Sequence, residues 1–147
     1  MLGGALFKGM NTSASGMSAE KLRMDAIANN IANINTTRTP EGGPYKKQIP
    51  IFSPRTAQPT YNLPFIADRF SEVGDGVRVL RIEEDNSSPR LEYLPEHPDA
   101  NKDGYVAFPN INLATEMVDL ITASRAYEAN ATAIKSAKQM MMKALEI

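Results

Sequence analysis

The stretch FKGMNTSASGMSAEKLRMDAIANNIANIN, residues 7–35, carries an apolar residue at every seventh position along its length. A second row of residues alternates with the first at spacings of three and four, which is the pattern of helices that pack side by side. This stretch is therefore predicted to form one long helix that requires a partner helix. The first row is Met10, Met17, Met24 and Ile31, and the second is Phe7, Ala14, Lys21 and Ala28.

The other end of the chain offers that partner, because its residues also recur at intervals of seven. A helix is predicted there from about Asn112 to Glu146, and Asn112 is suited to cap its start. We expect the two terminal helices to pair as a coiled coil. The two rows of the second helix are Leu113, Leu120, Tyr127, Ile134 and Met141, and Met117, Ser124, Ala131, Lys138 and Leu145.

The middle of the chain differs in character, since all ten prolines lie between Pro40 and Pro109. Short β-branched and aromatic runs alternate there with turn-forming pieces, which predicts a small, irregular β element. Pro50 confines the first run to a sheet edge or a bulge. The fold class is therefore α+β, with segments 1–36, 37–110 and 111–147. The runs are YKKQIPIF at 45–52, VRVLRIE at 77–83, RLEYL at 90–94 and YVAF at 105–108.

Two groups of small or polar residues in the first helix leave alternatives open. Asn29, Asn30 and Asn33 lie beside the apolar row, where their amides either bond across helices and fix the register or lie on a solvated flank. Gly9 and Gly16 are seven residues apart on one face. They permit either a close approach of a neighbouring helix or fraying of this one.

Composition excludes several classes of function. The chain has 147 residues with a formal net charge of −1 and interspersed acids and bases, which argues against nucleic acid as a partner. No apolar run approaches the ~20 residues of a membrane span, and the first residues do not form a secretory signal. The absence of cysteine removes disulfides, thiolate metal sites and thiol nucleophiles. Protein partners are therefore favoured.

No residue is assigned to catalysis, to a cofactor or to a metal. The single histidine, His97, has no nucleophile motif near it. Residues 99–104 match the first half of an EF-hand calcium loop, but the twelfth position is Asn110 rather than a bidentate glutamate. We expect an asparagine-containing turn that leads into the YVAF run, with weak cation binding as the alternative.

The run SGMSAEKLRMDAIANNIANINTT at 15–37 resembles the N-terminal signature of the flagellar axial proteins, the family of rod, hook and hook-associated subunits. Residues 39–48, TPEGGPYKKQ, residues 97–134 and the short overall length are similar to the proximal-rod members of that family. The resemblance implies a structural subunit that assembles with other rod proteins into the torque-transmitting proximal rod. It further implies contacts with membrane-ring and export-gate-adjacent basal-body components, export by the type III apparatus without a cleaved signal, and a periplasmic location.

Under this interpretation the assembly interface consists of the apolar rows and the neighbouring asparagines. The competing interpretation is a coiled-coil adaptor that binds one helical partner and never polymerises; a discrete, stable dimer would favour it. The expected interface residues are Met10, Met17, Met24, Ile31, Asn29, Asn30, Asn33, Leu113, Leu120, Tyr127, Ile134 and Met141.

Overall fold

The fold, given by a computed structural model, contains two long terminal helices with four short strands between them. It describes residues 2–55 and 75–145. The α+β class predicted from the sequence is confirmed. The elements are α1 (Leu2–Ala32), β1 (Gln48–Pro54), β2 (Val77–Glu84), β3 (Arg90–Tyr93), β4 (Tyr105–Phe108) and α2 (Leu113–Leu145).

The two helices pack against each other, and this is the most extensive contact between any two described elements. They run antiparallel, because Gly16 approaches Asn130 whereas Asn30, farther along α1, bonds to Glu116 near the start of α2. With 31 and 33 residues, each helix is roughly 45–50 Å long at 1.5 Å per residue. The pairing thus brings residues near the two ends of the chain side by side.

Asparagine side chains fix the facing ends of both helices. At the start of α2, Asn112 Oδ1 accepts hydrogen bonds from the backbone N–H groups of Ala114 and Thr115 at 3.0 and 3.3 Å, which confirms the predicted cap. At the end of α1, Asn33 Nδ2 donates to the carbonyl oxygen of Asn29 at 2.9 Å. The backbone N–H of Asn33 also bonds to that carbonyl at 3.1 Å, and the next bond, from the N–H of Ile34 to the carbonyl of Ile31 at 3.3 Å, already spans only three residues. Helix α1 therefore ends at Ala32, three residues before the predicted Asn35.

Strands β1 and β2 form an antiparallel pair whose register runs from Gln48 opposite Glu84 to Pro54 opposite Val77. The register shifts between Ile51 and Phe52, which marks a β-bulge. Pro50 lies one residue before that shift, in a sheet of two strands where every strand is an edge. The predicted position of this proline is therefore confirmed.

Helix α1 holds this β1–β2 sheet at two points on the sheet's outer edges. Gln48 turns its N–H and C=O away from β2, and the side-chain amide of Asn30 binds both groups. At the opposite end, the N–H of Val77 donates to Ser15 Oγ at 3.0 Å. Gly76 permits this approach, since its φ is +105° and an added Cβ would lie 2.1 Å from Ser15 Oγ. The sheet therefore crosses α1 diagonally.

Strands β3 and β4 form a second, separate antiparallel sheet. The small β element predicted between the helices is thus confirmed, and it consists of two separate two-stranded sheets. Asn101 Oδ1 accepts the N–H groups of Asp103 and Tyr105, each at 2.9 Å, between β3 and β4. This is the predicted asparagine-containing turn into the YVAF run.

The most deeply buried residues of the two helices are mainly small or polar, which differs from the predicted coiled-coil rows. The expected second row of α1 is exposed throughout, and on α2 the buried row is displaced by one position, from Met117 to Glu116 and from Ser124 to Ala123. A heptad assignment based on large apolar side chains does not give this register, because the fully buried positions of α2 hold Glu116 and Ala123. The buried residues of the helices are Ser15, Ala19, Ala26, Ile27, Asn30, Glu116 and Ala123.

Candidate assembly interface

The best-satisfied polar group of the described chain is Asn30, which is 1% exposed and joins α1, β1 and α2. Its Nδ2 donates to the carbonyl of Gln48 at 3.0 Å and to Glu116 Oε2 at 3.3 Å. Its Oδ1 accepts from the N–H of Gln48 at 2.8 Å and from the hydroxyl of Tyr45 at 3.2 Å. Both donors and both acceptor positions of the amide are used, which is what a buried amide requires.

Glu116 brings a negative charge into the same place, and it is also only 1% exposed. Its second carboxylate oxygen, Oε1, lies 2.5 Å from the ammonium of Lys47, whose side chain remains 26% exposed. Glu116 lies in the first turn of α2, where the helix dipole favours an anion. The charge is therefore balanced by a cation from the strand side and by the N-terminal end of its own helix.

Tyr45 completes this cluster, which we call the polar node and define as Asn30, Tyr45, Lys47, Gln48 and Glu116. Burial raises the pKa of the Tyr45 phenol above its ordinary value of 10.0, and the charges of Glu84 and Glu116 raise it further. The phenol is thus held in its neutral, donating form. The polar node fixes the position of the β1–β2 hairpin relative to both helices.

Farther along the helix pair, Gly16 allows a close approach. An added Cβ at Gly16 would lie 3.0 Å from Asn130 Nδ2, and that amide is held by a hydrogen bond to the carbonyl of Ala126 at 3.0 Å. At Gly9, by contrast, nothing lies within 4 Å of an added Cβ. Of the two alternatives for these glycines, close helix approach is confirmed at Gly16 alone.

Large apolar side chains lie on the outside of α2 instead. They occupy one face of its N-terminal half, and each is between 45% and 63% exposed. No charged residue lies among them on that face until Arg125. We call this surface the α2 stripe; it consists of Leu113, Met117, Val118 and Ile121.

Two family models match the ends of the chain. Residues 10–38 match the flagella basal body rod protein model, and residues 102–147 match the flagellar basal body rod FlgEFG protein C-terminal model. A flagellar basal-body rod protein FlgC from Borreliella burgdorferi is 52% identical over 147 residues, covering 97% of each chain. The chain belongs to the FlgC family of flagellar basal-body rod proteins.

More distant relatives carry the same name along nearly the whole chain. The FlgC of Bacillus subtilis is 41% identical, covering 96% of this chain and 97% of its own. The FlgC of Salmonella typhimurium is 30% identical, covering 97% and 98%. Membership of the FlgC family makes the chain a structural rod subunit of the flagellar basal body, where rod proteins assemble with other basal-body components.

The interface residues expected from the sequence occupy three kinds of position in this FlgC-family chain. Asn30 is fully buried and bridges elements, whereas Asn29 and Leu113 are exposed, and Asn33 serves the end of α1. The two alternatives for the asparagines were bonds across helices and a solvated flank, and the outcome thus differs from one position to the next. The half-buried ones are Met10, Met17, Met24, Ile31, Leu120, Tyr127, Ile134 and Met141.

Sequence reasoning missed the partners of Asn30. The sequence pattern gives Glu116 no role between the helices, and it places Lys47 and Gln48 only within the predicted β run at 45–52. The available signal is an acidic residue three positions after Leu113 and four before Leu120, two members of one predicted apolar row. Val118 and Ile121 were missed because they belong to neither heptad row.

Within residues 2–55 and 75–145, no helix is both long and apolar enough to cross a bilayer. In the same part of the chain, no three histidine, cysteine or acidic side chains are grouped so as to hold a metal ion.

Proposed function

We propose that this chain is a non-enzymatic building block of the proximal rod, located in the periplasm and exported through the flagellar type III apparatus without a cleaved signal. In this role it assembles with other rod proteins, and with membrane-ring and export-gate-adjacent components, into the shaft that transmits torque. The FlgC-family membership and the resemblance of the chain ends to axial subunits support this assignment.

One observation carries the proposal: the most deeply buried residues of the helices are mainly small or polar, whereas several large apolar residues of α2 are exposed. The inner contact uses Ala26, Ala123 and Asn30, whereas Met117, Val118 and Ile121 are exposed. A helix with an exposed apolar face of this kind is typical of an interaction surface. The α2 stripe is therefore proposed to contact neighbouring subunits.

The polar node supplies the stiffness that a shaft subunit needs. It ties the β1–β2 hairpin to both helices through directional bonds that a sliding apolar contact lacks. Subunits that meet through different surfaces, head to tail, form a helical tube when the rotation does not close. A rigid subunit with an apolar external surface satisfies both requirements of such a tube.

The experiment is incorporation into basal bodies of a flagellated host lacking its own copy of this protein. Val118→Asp and Ile121→Asp place a charge in the proposed contact, and we expect both to lose incorporation and motility. Thr132→Asp, at an exposed position farther along α2, is the matched control and should incorporate normally. Circular dichroism of the purified variants separates loss of the contact from loss of the fold.

Normal incorporation of Val118→Asp and Ile121→Asp would refute the α2 stripe as the assembly contact. Ile31→Asp and Ile134→Asp test the half-buried rows in the same assay. We expect both variants to lose incorporation and motility. The adaptor alternative predicts instead a discrete, stable dimer across a wide range of concentrations, measurable by analytical ultracentrifugation.

A further inference from the structure

The β3–β4 hairpin carries a second exposed apolar surface. In the β3–β4 register, Tyr93 lies opposite Tyr105 and Leu91 opposite Ala107, and these four residues share one face. Leu91, Tyr93 and Tyr105 are 43–63% exposed, and the two rings lie edge to face with centroids 5.3 Å apart. This hairpin face is defined as Leu91, Tyr93, Tyr105 and Ala107, and none of its members is charged.

The other face of the same hairpin carries its buried residue and an ion pair. Val106 is fully buried there, and Arg90 is engaged by the carboxylate of Glu92 at 2.9 Å and by the Phe108 ring 5.9 Å away. Neither β3 nor β4 packs against α1 or α2. The helix pair therefore leaves the hairpin face uncovered.

We propose that the hairpin face of one copy of this chain docks on the α2 stripe of a neighbouring copy. The inference rests on the proposed function, and it names the partner of the α2 stripe. The two surfaces are different parts of one molecule, so the contact is head to tail and leaves each copy able to bind another.

Charge favours this pairing and its direction. Both surfaces lack charged residues over their length, so neither places an ion against apolar groups. The α2 stripe ends at Arg125, whose side chain is 79% exposed and forms a weak, solvent-exposed ion pair with Glu128 at 3.6 Å. The turn beside Tyr93 and Tyr105 carries two exposed acids, Glu96 and Asp103, and one exposed cation, Lys102. The tyrosine end of the hairpin face is therefore placed toward Arg125, and its Leu91 end toward Leu113.

The area of the hairpin face indicates whether this contact could hold a free dimer together or forms only inside an assembly. With exposed fractions near one half, the hairpin face offers on the order of 300–400 Å², because aromatic and leucine side chains present up to about 150–250 Å² each. A stable free complex buries about 800 Å² per partner. The contact is thus too small to hold two free copies together, and it forms between subunits that other surfaces already hold.

The absence of native cysteine makes a direct test possible. We would introduce Leu91→Cys and Val118→Cys together, express the protein in the host lacking its own copy, and treat isolated basal bodies with a short bismaleimide. The expected result is a ladder of dimers and higher multimers. Leu91→Cys alone and Val118→Cys alone should give none.

A matched control combines Leu91→Cys with Gln139→Cys, an exposed position on the same helix beyond the α2 stripe. Incorporation of the double variant with no cross-linking above this control would overturn the docking while leaving the proposed function intact. Dimers formed by Leu91→Cys alone would also overturn it, because hairpin faces would then pair with each other. Absence of the parent protein, without introduced cysteines, from basal bodies would refute the proposed function itself.

Discussion

Asn30 and Glu116 lie 86 residues apart in the sequence, yet Asn30 Nδ2 donates to Glu116 Oε2 at 3.3 Å in a place where each residue is 1% exposed. The bond joins the end of α1 to the beginning of α2. It connects the two segments of the chain that match separate rod-protein family models. The polar node around this bond makes the antiparallel pairing specific to one register.

Asn30→Ala should destabilise the protein by about 2–4 kcal/mol, because it leaves the N–H and C=O of Gln48 without their partner and removes a donor from a buried carboxylate. Asn29→Ala is the matched control, since Asn29 is exposed one residue earlier on the same helix, and its effect should stay within about 0.5 kcal/mol. Urea denaturation followed by circular dichroism measures both. Equal effects would contradict the role of Asn30.

Lys47→Met should cost about 2–3 kcal/mol, because it leaves the charge of Glu116 buried without its cation. This is less than the ~3–5 kcal/mol lost when a fully buried pair is broken, since Lys47 keeps contact with water. Adding Glu116→Gln removes the unpaired charge while retaining an acceptor for Asn30, so the double variant should recover part of the loss. A double-mutant cycle in urea gives the coupling, and strictly additive losses would show that the pair does not interact.

Gly9→Ala should stabilise the protein by about 1 kcal/mol, because alanine favours helix and nothing lies within 4 Å of the new methyl group. Gly16→Ala should be less stable than Gly9→Ala by at least about 1 kcal/mol in the free energy of unfolding, since its methyl group meets the Asn130 amide at 3.0 Å. Thermal denaturation of the two variants in parallel measures the difference. If Gly16→Ala matched Gly9→Ala, the close approach of the helices at this point would be excluded.

The raised pKa of Tyr45 predicts a loss of stability at high pH. The phenol ionises in the unfolded chain near pH 10 but only at a higher pH in the folded protein, so the folded state binds more protons above that point. The contribution of Tyr45 is fully present below about pH 10 and decreases as the pH rises through the folded-state pKa. Urea titrations between pH 8 and about 11 should show this decrease, and Tyr45→Phe should show a smaller one.

A Tyr45→Phe variant with the same decrease as the parent protein would assign the effect to other groups. Tyr105→Phe provides the comparison, because its phenol lies on an exposed hairpin face remote from the polar node.

The elements of this fold could be predicted from the sequence because local chemistry determines them. Each predicted β run overlaps one strand of the structure, and Asn112 caps α2 as its side chain allows. The coiled-coil rows could not be predicted in the same way. A heptad assignment assumes that large apolar residues face the partner helix, whereas here Ala123 and Glu116 face it and Met117 does not.

The polar node could not be predicted from the sequence, for a different reason. Its bonds connect residues from α1, β1 and α2, and no spacing within one element indicates that Asn30 will meet Glu116 or Gln48. Propensity treats an asparagine in a helix as a mild cost, which is correct for Asn29 and misleading for Asn30. The two residues differ only in which side of α1 they occupy.

Ser15 and Asn30, which bind the two ends of the β1–β2 hairpin, are 15 residues apart on one helix, or roughly 22 Å. The seven residues of β1 span roughly the same length at about 3.3 Å each. A slip of the hairpin by one residue would turn Gln48 and Val77 to the wrong side and break both attachments together. Once it has formed, helix α1 therefore determines the register of the β1–β2 hairpin, because its two attachment points fit the strands in one alignment and not in an alignment shifted by one residue.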